Sequence, residues 1–559
     1  MTTAAAAAPT PTTGTGTERF AGTGRLVRLA LRRDRIRLPV WLLALTAILA
    51  VSAASVAGLY PTVAELRGFA AASAASPVTL AVNGLVSGYS MGAVVASQIV
   101  MPLALAAALM TTLLVVRHTR QNEETGAAEL IGAAVVGRRA LLAAALLVAV
   151  GANLTLGVLS ATVLTLQGLP AGGSIALGAS VAAAGIAFAA VAAVAAQVTD
   201  SARTANGLAG AALGVAFLLR AVGDMTGTVI GDGTRVESGW PTWLSPIGWA
   251  EQMRPYDTDD WWVLALPIVF SLVLCVVAVA LTGRRDLGSG LVPARPGPPR
   301  ASRALPTALG SAWRMQRTIW FWWAFGIVVL SLVYGAIADQ VDDFLGDGEQ
   351  GSDVLTDLGG GVTDLIDAYF AAIFAMIAIA VAGYAVQALL RMRSEETAGR
   401  LEPVLATALS RPRWMLAHVG LVTAGIVALQ ALAGAALGLA HGVIVGDVFG
   451  QVGRLTGAAL VFVPAILVVA AAVVLFIGGV PAWSSGLSWA LLAFCLVVGL
   501  FGPLLGVPDA ARDVSPFTHV PAVPAASVPA GPLVALSLIA VALGAGGVML
   551  FRHRDLTTS

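Results

Sequence analysis

Lysine is missing altogether from this chain of 559 residues, and all 32 of its basic side chains are arginine. That absence excludes two classes of chemistry. A P-loop ATPase needs the lysine of G-x-x-x-x-G-K-[ST] to reach the terminal phosphates, and a Schiff-base enzyme needs a lysine amine. Cysteine is nearly missing as well: Cys275 and Cys495 both fall inside apolar runs, where a free thiol acts as a small hydrophobe. Neither a disulfide framework nor a zinc site follows. Charge of either sign is scarce, at 11% of residues against roughly 25% in soluble domains, while 58% are apolar. The composition is that of a membrane protein. No Asp or Glu lies near the middle of an apolar run, which argues against a proton-coupled antiporter with a titrating carboxylate in the bilayer.

What is present is a series of apolar runs of spanning length, for which a bilayer requires ~20 helical residues. They fall near 38–58, 93–116, 140–166, 172–197, 206–222 and 261–283, then near 319–338, 366–390, 415–445, 454–476, 485–505 and 531–551. The fold class this predicts is an all-α polytopic membrane protein with about 12 transmembrane helices, arranged as two parallel six-helix repeats. Residues 1–18 lack the basic segment and apolar stretch of a signal peptide and read as a disordered tail. Residues 19–283 form the first half, the proline- and arginine-rich 284–306 a cytoplasmic linker, and 307–559 the second half. The stretch "LAVNGLVSGYSMG" over 80–92 is a candidate re-entrant piece. Arginines cluster before the first run and after the second, sixth and eighth, so those faces and both termini are expected to be cytoplasmic. The acid-rich, arginine-free run from Asp339 to Asp357 reads as a solvated external loop, since its spacing is not that of a D-x-[DN]-x-[DN]-G calcium loop.

Two stretches repeat. "RQNEETGAAELIGAAVVGR", Arg120 to Arg138, aligns without gaps to "RSEETAGRLEPVLATALSR", Arg393 to Arg411, at an offset of 273 residues. Arg120 meets Arg393, Glu123 meets Glu396, Gly126 meets Gly399, Glu129 meets Glu402, and Arg138 meets Arg411. Each copy follows the second run of its half and is expected to be a short cytoplasmic helix, with the glycine permitting close approach of another backbone. The alternative is a solvated turn carrying topology-setting charge. A second echo places Ser245-Pro246 of "WLSPIGWAEQ" against Ser515-Pro516 of "SPFTHVP", each before the last run of its half.

Together the paired motifs, the six-plus-six layout, "WLSPIGWAEQ", "RRDLGSG" at Arg284 to Gly290 and "SPFTHVP" resemble the fused permease subunits of ABC-2-type, type V-like exporters. More narrowly they resemble actinobacterial exporters of polyketide antibiotics of the tetronasin-resistance type, over nearly the whole chain after residue 19. The resemblance implies a plasma-membrane subunit of an ATP-driven exporter of lipophilic or amphipathic compounds, such as antibiotics and drugs. It implies no ATPase site and no cofactor in this chain. Two copies of a separate ABC ATPase would carry the ATP and Mg. By the same resemblance Arg120, Glu123, Gly126, Glu129 and Arg138, with Arg393, Glu396, Gly399, Glu402 and Arg411, would be ATPase-coupling residues. Ser245, Pro246, Trp249, Ser515, Pro516 and His519 would belong to an extracellular gate. "ERFAGTGRLVRLALRRDRIRLPVW" would be an interfacial amphipathic helix, with "LPTALGSAWRMQRTIWFWW" as its counterpart.

Other chemistry is thin. Arg220 and Asp224, four residues apart at the outer end of the fifth run, read as a structural ion pair. His441 and His519 read as packing or interfacial residues. Asn153, Gln98, Gln197, Gln387 and Gln430 are available for interhelical hydrogen bonds or for lining a pathway. No cluster of Asp, Glu or His suggests a metal site or a membrane enzyme, and nothing suggests a nucleic-acid partner. Competing readings are an exporter of lipid or cell-envelope precursors on the same scaffold, and a secondary drug transporter, which the missing midplane carboxylates disfavour.

Overall fold

A computed structural model describes residues 20–133, 136–286, 288–292, 299–302, 305–338, 365–501 and 508–555. The N-terminal tail and the acid-rich run from Asp339 to Asp357 lie outside the described residues, as does part of the linker. The described chain is almost entirely helical, and it divides into two compact units, 1–296 and 297–559. Eleven helices are long and apolar enough to cross a membrane, and a shorter apolar helix occupies the position of the remaining expected span, among the described residues.

The first unit opens with α1 (Thr23–Arg33) and α2 (Arg37–Leu59), continues through α3 (Val63–Ala75) and α4 (Pro77–Asn83), and enters α5 (Met91–His118). Two short helices, α6 (Arg120–Glu124) and α7 (Ala127–Gly132), lead to α8 (Ala140–Leu166), α9 (Ala171–Val198) and α10 (Ala202–Met225). A small hairpin, β1 (Thr228–Ile230) with β2 (Arg235–Glu237), and α11 (Pro246–Gln252) precede α12 (Ala265–Thr282). The long helices are apolar around their whole circumference, as spans must be where no water can satisfy backbone groups. Side-chain caps end them: Ser90 accepts from Ala93 N, Ser201 from Thr204 N, and Thr62 with Glu65 forms a reciprocal capping box. At the centre α9 packs on α5, α8 and α12. Gly157 and Gly178 let α8 and α9 meet backbone to backbone, since a Cβ on Gly157 would stand 2.7 Å from the Gly178 carbonyl oxygen.

The 80–92 stretch, the candidate re-entrant piece, is not one continuous helix. It is the end of α4 followed by extended chain in which Ser87 bridges Arg235 of the β-hairpin, with Leu80, Leu85 and Val86 packed on Ala70, Ala74 and Val236.

The second unit runs α13 (Ala308–Ile337), α14 (Leu365–Thr397), α15 (Leu401–Leu405), α16 (Arg411–Val445), α17 (Val448–Leu460), α18 (Val463–Gly479), α19 (Ser484–Phe501) and α20 (Ala530–His553). Its core centres on α14, whose Phe370, Phe374, Ile377 and Val381 are fully buried. The break between α17 and α18 falls where Pro464 removes an N–H donor. The two amphipathic entries differ. In the first unit the chain breaks between α1 and α2, whereas α13 runs unbroken through "SAWRMQRTIWFWW". Pro39 enters the first turn of α2, and Asp34, at the break, is held by another helix; α13 contains no proline and no acid.

Candidate functional site

The repeated arginine-rich stretches build the same clamp in each unit. In the first, Arg120 follows α5 directly and is fully buried. Its guanidinium donates to the Ala196 carbonyl at the end of α9, to Glu123 at 2.7 Å and to the Ser289 carbonyl at 3.1 Å. Glu123, its side chain only 5% exposed, is held from the other side by Arg285, just beyond α12, through two parallel hydrogen bonds of 2.7 and 2.6 Å. Such a fork-on-carboxylate pair is the strongest and most directional ionic contact available to arginine. Arg285 Nε donates to the Gln197 side chain at 2.7 Å, and the Arg285 carbonyl accepts from Arg138 at the head of α8. One glutamate and three arginines therefore join the ends of α5, α8, α9 and α12.

In the second unit Arg393 lies 3.0 Å from Glu396, Arg554 donates to Glu396 at 2.6 Å, and Arg411 donates to the Arg554 carbonyl at 2.7 Å. Glu396 is 7% exposed. Arg554 follows α20 as Arg285 follows α12, and a short signal marks both: Arg285-Asp286-Leu287 and Arg554-Asp555-Leu556 repeat at an offset of 269 residues. Sequence reading missed these clamp arginines.

Two expectations about the repeat need correction. The segment is not a single helix: the first copy is α6 and α7, broken at Thr125-Gly126, and in the second the long α14 continues to Thr397 before the separate α15. Gly126 and Gly399 have no close neighbour within this chain either. A Cβ on either would meet nothing within 4 Å, but both have left-handed backbone, at φ +72° and +69°, the conformation that breaks the helix and that glycine adopts without penalty. Glu129 and Glu402 are exposed. The clamp members Arg120, Glu123, Arg393, Glu396 and Arg411 thus lie inside each joint, while Arg138 reaches in from an exposed position. The surface it presents is made by other residues, Gln121, Glu124, Glu129 and Leu130 in the first unit and Glu402, Pro403 and Val404 in the second. A cavity of about 430 Å³ opens beside the first clamp, walled by Glu123, Arg138, Gln197, Arg285, Ile131 and Leu142.

At the same end of the first unit, Asp34 is buried between α1 and α2, paired to Arg117 at 2.6 Å and to His118. Burial raises the Asp34 pKa, but the hydrogen bond and charge of His118 and the charge of Arg117 outweigh it and hold the carboxyl below its ordinary value. Arg33 reaches Asn122 of α6 at 2.9 Å, so α1 is tied to the clamp segment.

The opposite end of the first unit holds the other predicted residues. Arg220 and Asp224 do pair, at 2.8 Å, with both side chains fully buried. A third partner was not foreseen: Glu251 of α11 meets Arg220 at 3.0 Å. Arg220 also donates to the Leu80 and Ala81 carbonyls at 2.8 and 2.7 Å, which caps the open end of α4. Burial drives the Glu251 pKa well above its ordinary value; Arg220 pulls it down and Asp224 pushes it further up. Ser245 caps α11 by accepting from Ile247 N and Gly248 N and donates to the Ala216 carbonyl at 2.7 Å, pinning α11 to α10. Pro246 occupies the first turn, and Trp249 donates to the Trp243 carbonyl at 2.6 Å. In the second unit Ser515 is buried and Pro516 starts a single 3₁₀ turn, Pro516–His519, in which His519 Nε2 reaches the Asp513 carbonyl at 2.8 Å. Of the other polar candidates, Asn153 donates to Thr111 at 2.9 Å, Gln387 accepts from Trp323 at 2.7 Å, and His441 packs edge-on against Phe370. Neither amide atom of Gln430 has a partner among the described residues.

Comparison with known proteins follows this geometry. The family described as "Multidrug efflux system permease Rv1217c, C-terminal domain" matches residues 305–552, most of the second unit. Multidrug efflux system permease protein Rv1217c of Mycobacterium tuberculosis (strain ATCC 25618 / H37Rv) is 40% identical over 537 residues, covering 96% of this chain and 95% of that protein. At that identity over almost the full length of both chains, this multi-pass membrane protein belongs to the family of multidrug efflux permeases that contains Rv1217c.

Proposed function

We propose that the chain is the permease subunit of an ATP-driven ABC exporter, moving lipophilic or amphipathic compounds such as drugs and polyketide antibiotics out of a bacterial, actinobacterial-type cell. Two copies of a separate ATPase subunit would hold ATP and Mg and dock beneath the two units, with the arginine-rich ends cytoplasmic. The observation that carries this reading is the repeated clamp. Each unit anchors a short, otherwise exposed segment to the last helix of its own bundle through a buried glutamate and arginine. A segment that only signalled topology would gain nothing from a buried, multiply hydrogen-bonded joint, whereas a segment that is pushed by a partner must pass the force into the spans. Ser245, Pro246 and Trp249, with Ser515, Pro516 and His519, are proposed to form the gate at the external end.

The exposed carboxylates offer the test, since reversing them leaves the clamps intact. Glu129→Arg combined with Glu402→Arg should abolish co-purification of a candidate ABC ATPase co-expressed with this chain and lower its turnover in nanodiscs by about tenfold or more, because like charges set against each other at a contact cost several kcal/mol. Unchanged binding and turnover in the double variant would remove the docking reading.

A further inference from the structure

A cavity of about 200 Å³ in the second unit, between α13, α14 and α16, has an aromatic wall and one polar side chain. Trp313 and Trp320 stand one turn pair apart on α13, their rings 6.2 Å between centroids and tilted at 52°. Tyr384 closes the side toward α14, while Ala428 and Gly425 of α16 provide a small-residue floor. A Cβ on Gly425 would overlap the Tyr384 hydroxyl and stand 3.1 Å from Trp320 Cδ1, so the glycine keeps this space open. The polar member is Gln316. It is 1% exposed, and neither its amide nitrogen nor its amide oxygen has a hydrogen-bond partner among the described residues.

An amide buried with donor and acceptor both unmet costs a few kcal/mol, and packing alone would favour leucine or methionine at such a place. The cost is recovered only when something enters the cavity and answers both groups. We propose that this cavity binds a neutral, planar aromatic compound bearing an adjacent donor and acceptor, as in a lactam or cis-amide, which pairs with Gln316 through two parallel hydrogen bonds while its rings lie against Trp320 and Tyr384. A primary carboxamide matches a cis-lactam edge to edge, N–H to C=O and C=O to H–N. The volume suits a one- or two-ring group, since an apolar cavity of ~150 Å³ holds benzene. A cation is disfavoured because no carboxylate lines the wall. Identifying the ligand as cargo rests on the export reading; the binding site itself does not.

The test needs neither ATP nor the ATPase, so its failure is separate from failure of the exporter reading. Quinolin-2(1H)-one, a neutral bicyclic lactam, and naphthalene, its apolar counterpart, are titrated against the intact chain in nanodiscs, with intrinsic tryptophan fluorescence and ligand partition-corrected binding as readouts. Wild type should bind the lactam about tenfold or more tightly than naphthalene, as two net hydrogen bonds of about 1 kcal/mol each would give. Gln316→Leu should abolish that preference while keeping naphthalene binding and raising the melting temperature of the empty protein. Gly425→Val should abolish both. Equal affinity for the two probes in wild type, or a preference that survives Gln316→Leu, would overturn the proposal. So would the absence of saturable binding by either probe, which would leave the cavity to water or lipid.

Discussion

Arg220 is the residue on which the end of the first unit built from α4, α10 and α11 most depends. It sits with two carboxylates and two helix-end carbonyls, entirely out of water. Burial, with the Asp224 carboxylate beside it, pushes the Glu251 carboxyl well above its ordinary value despite the pull of Arg220. An acid whose folded pKa is raised contributes stability that is fully present below its unfolded value of about 4.3 and is lost as pH rises through the raised one. Thermal stability in detergent should therefore fall from mildly acidic to alkaline pH, and Glu251→Gln should flatten the decline. A profile that Glu251→Gln leaves unaltered would refute the raised Glu251 pKa. Arg220→Met removes the only cation and should cost about 3–5 kcal/mol, the usual penalty for leaving a buried charge unpaired. The pair at 220 and 224 was legible because i,i+4 spacing is a local signal. Glu251 was not, because nothing local links it to a helix 27 residues earlier.

At the scale of elements, the spans were almost fully readable and their joints were not. Apolar runs are continuous one-dimensional signals, so predicted 140–166 and 172–197 became Ala140–Leu166 and Ala171–Val198. The β-hairpin was missed because its strands have three residues each and depend on the tertiary bridge to Ser87. The α1–α2 break is likewise tertiary: only the fold brings Arg117 and His118 to Asp34. Asp34→Ala should release α1, raising hydrogen exchange over residues 23–33 by about a hundredfold or more, as loss of roughly 3 kcal/mol implies. Exchange in α5 and α9 should not change. In wild type, acid should loosen α1 in the same way. A carboxylate with a depressed pKa stabilises above its unfolded value of about 3.9, and that contribution is lost as pH falls through the lower folded value. Protection of 23–33 that survives Asp34→Ala would show that the apolar face of α1, with Leu26 and Ala30 buried, suffices to hold it.

Across the whole molecule the same joint is built twice from the same sequence signal, yet the two copies are unequal. Arg285 spends its donors on both oxygens of Glu123, on Gln197 and on the Ser289 carbonyl, and the chain beyond it folds back so that Gly288 N also reaches Glu123. Arg554 makes one hydrogen bond to Glu396 and lies 5.2 Å from the Phe551 ring centre, and its Nε and Nη1 have no hydrogen-bond partner among the described residues. Charge-assisted bonds contribute about 1.5–3 kcal/mol each when a partner is removed from a buried site. Arg285→Gln should thus destabilise the intact protein more than Arg554→Gln, by a margin of at least ~2 kcal/mol in unfolding free energy, read as a larger fall in melting temperature. If the clamps also transmit force, the two substitutions should rank in the same order in uncoupling ATP turnover from transport. Equal destabilisation would mean that the surplus bonds of Arg285 are matched by water around Arg554, and the two joints would then be energetically equivalent despite their different partners.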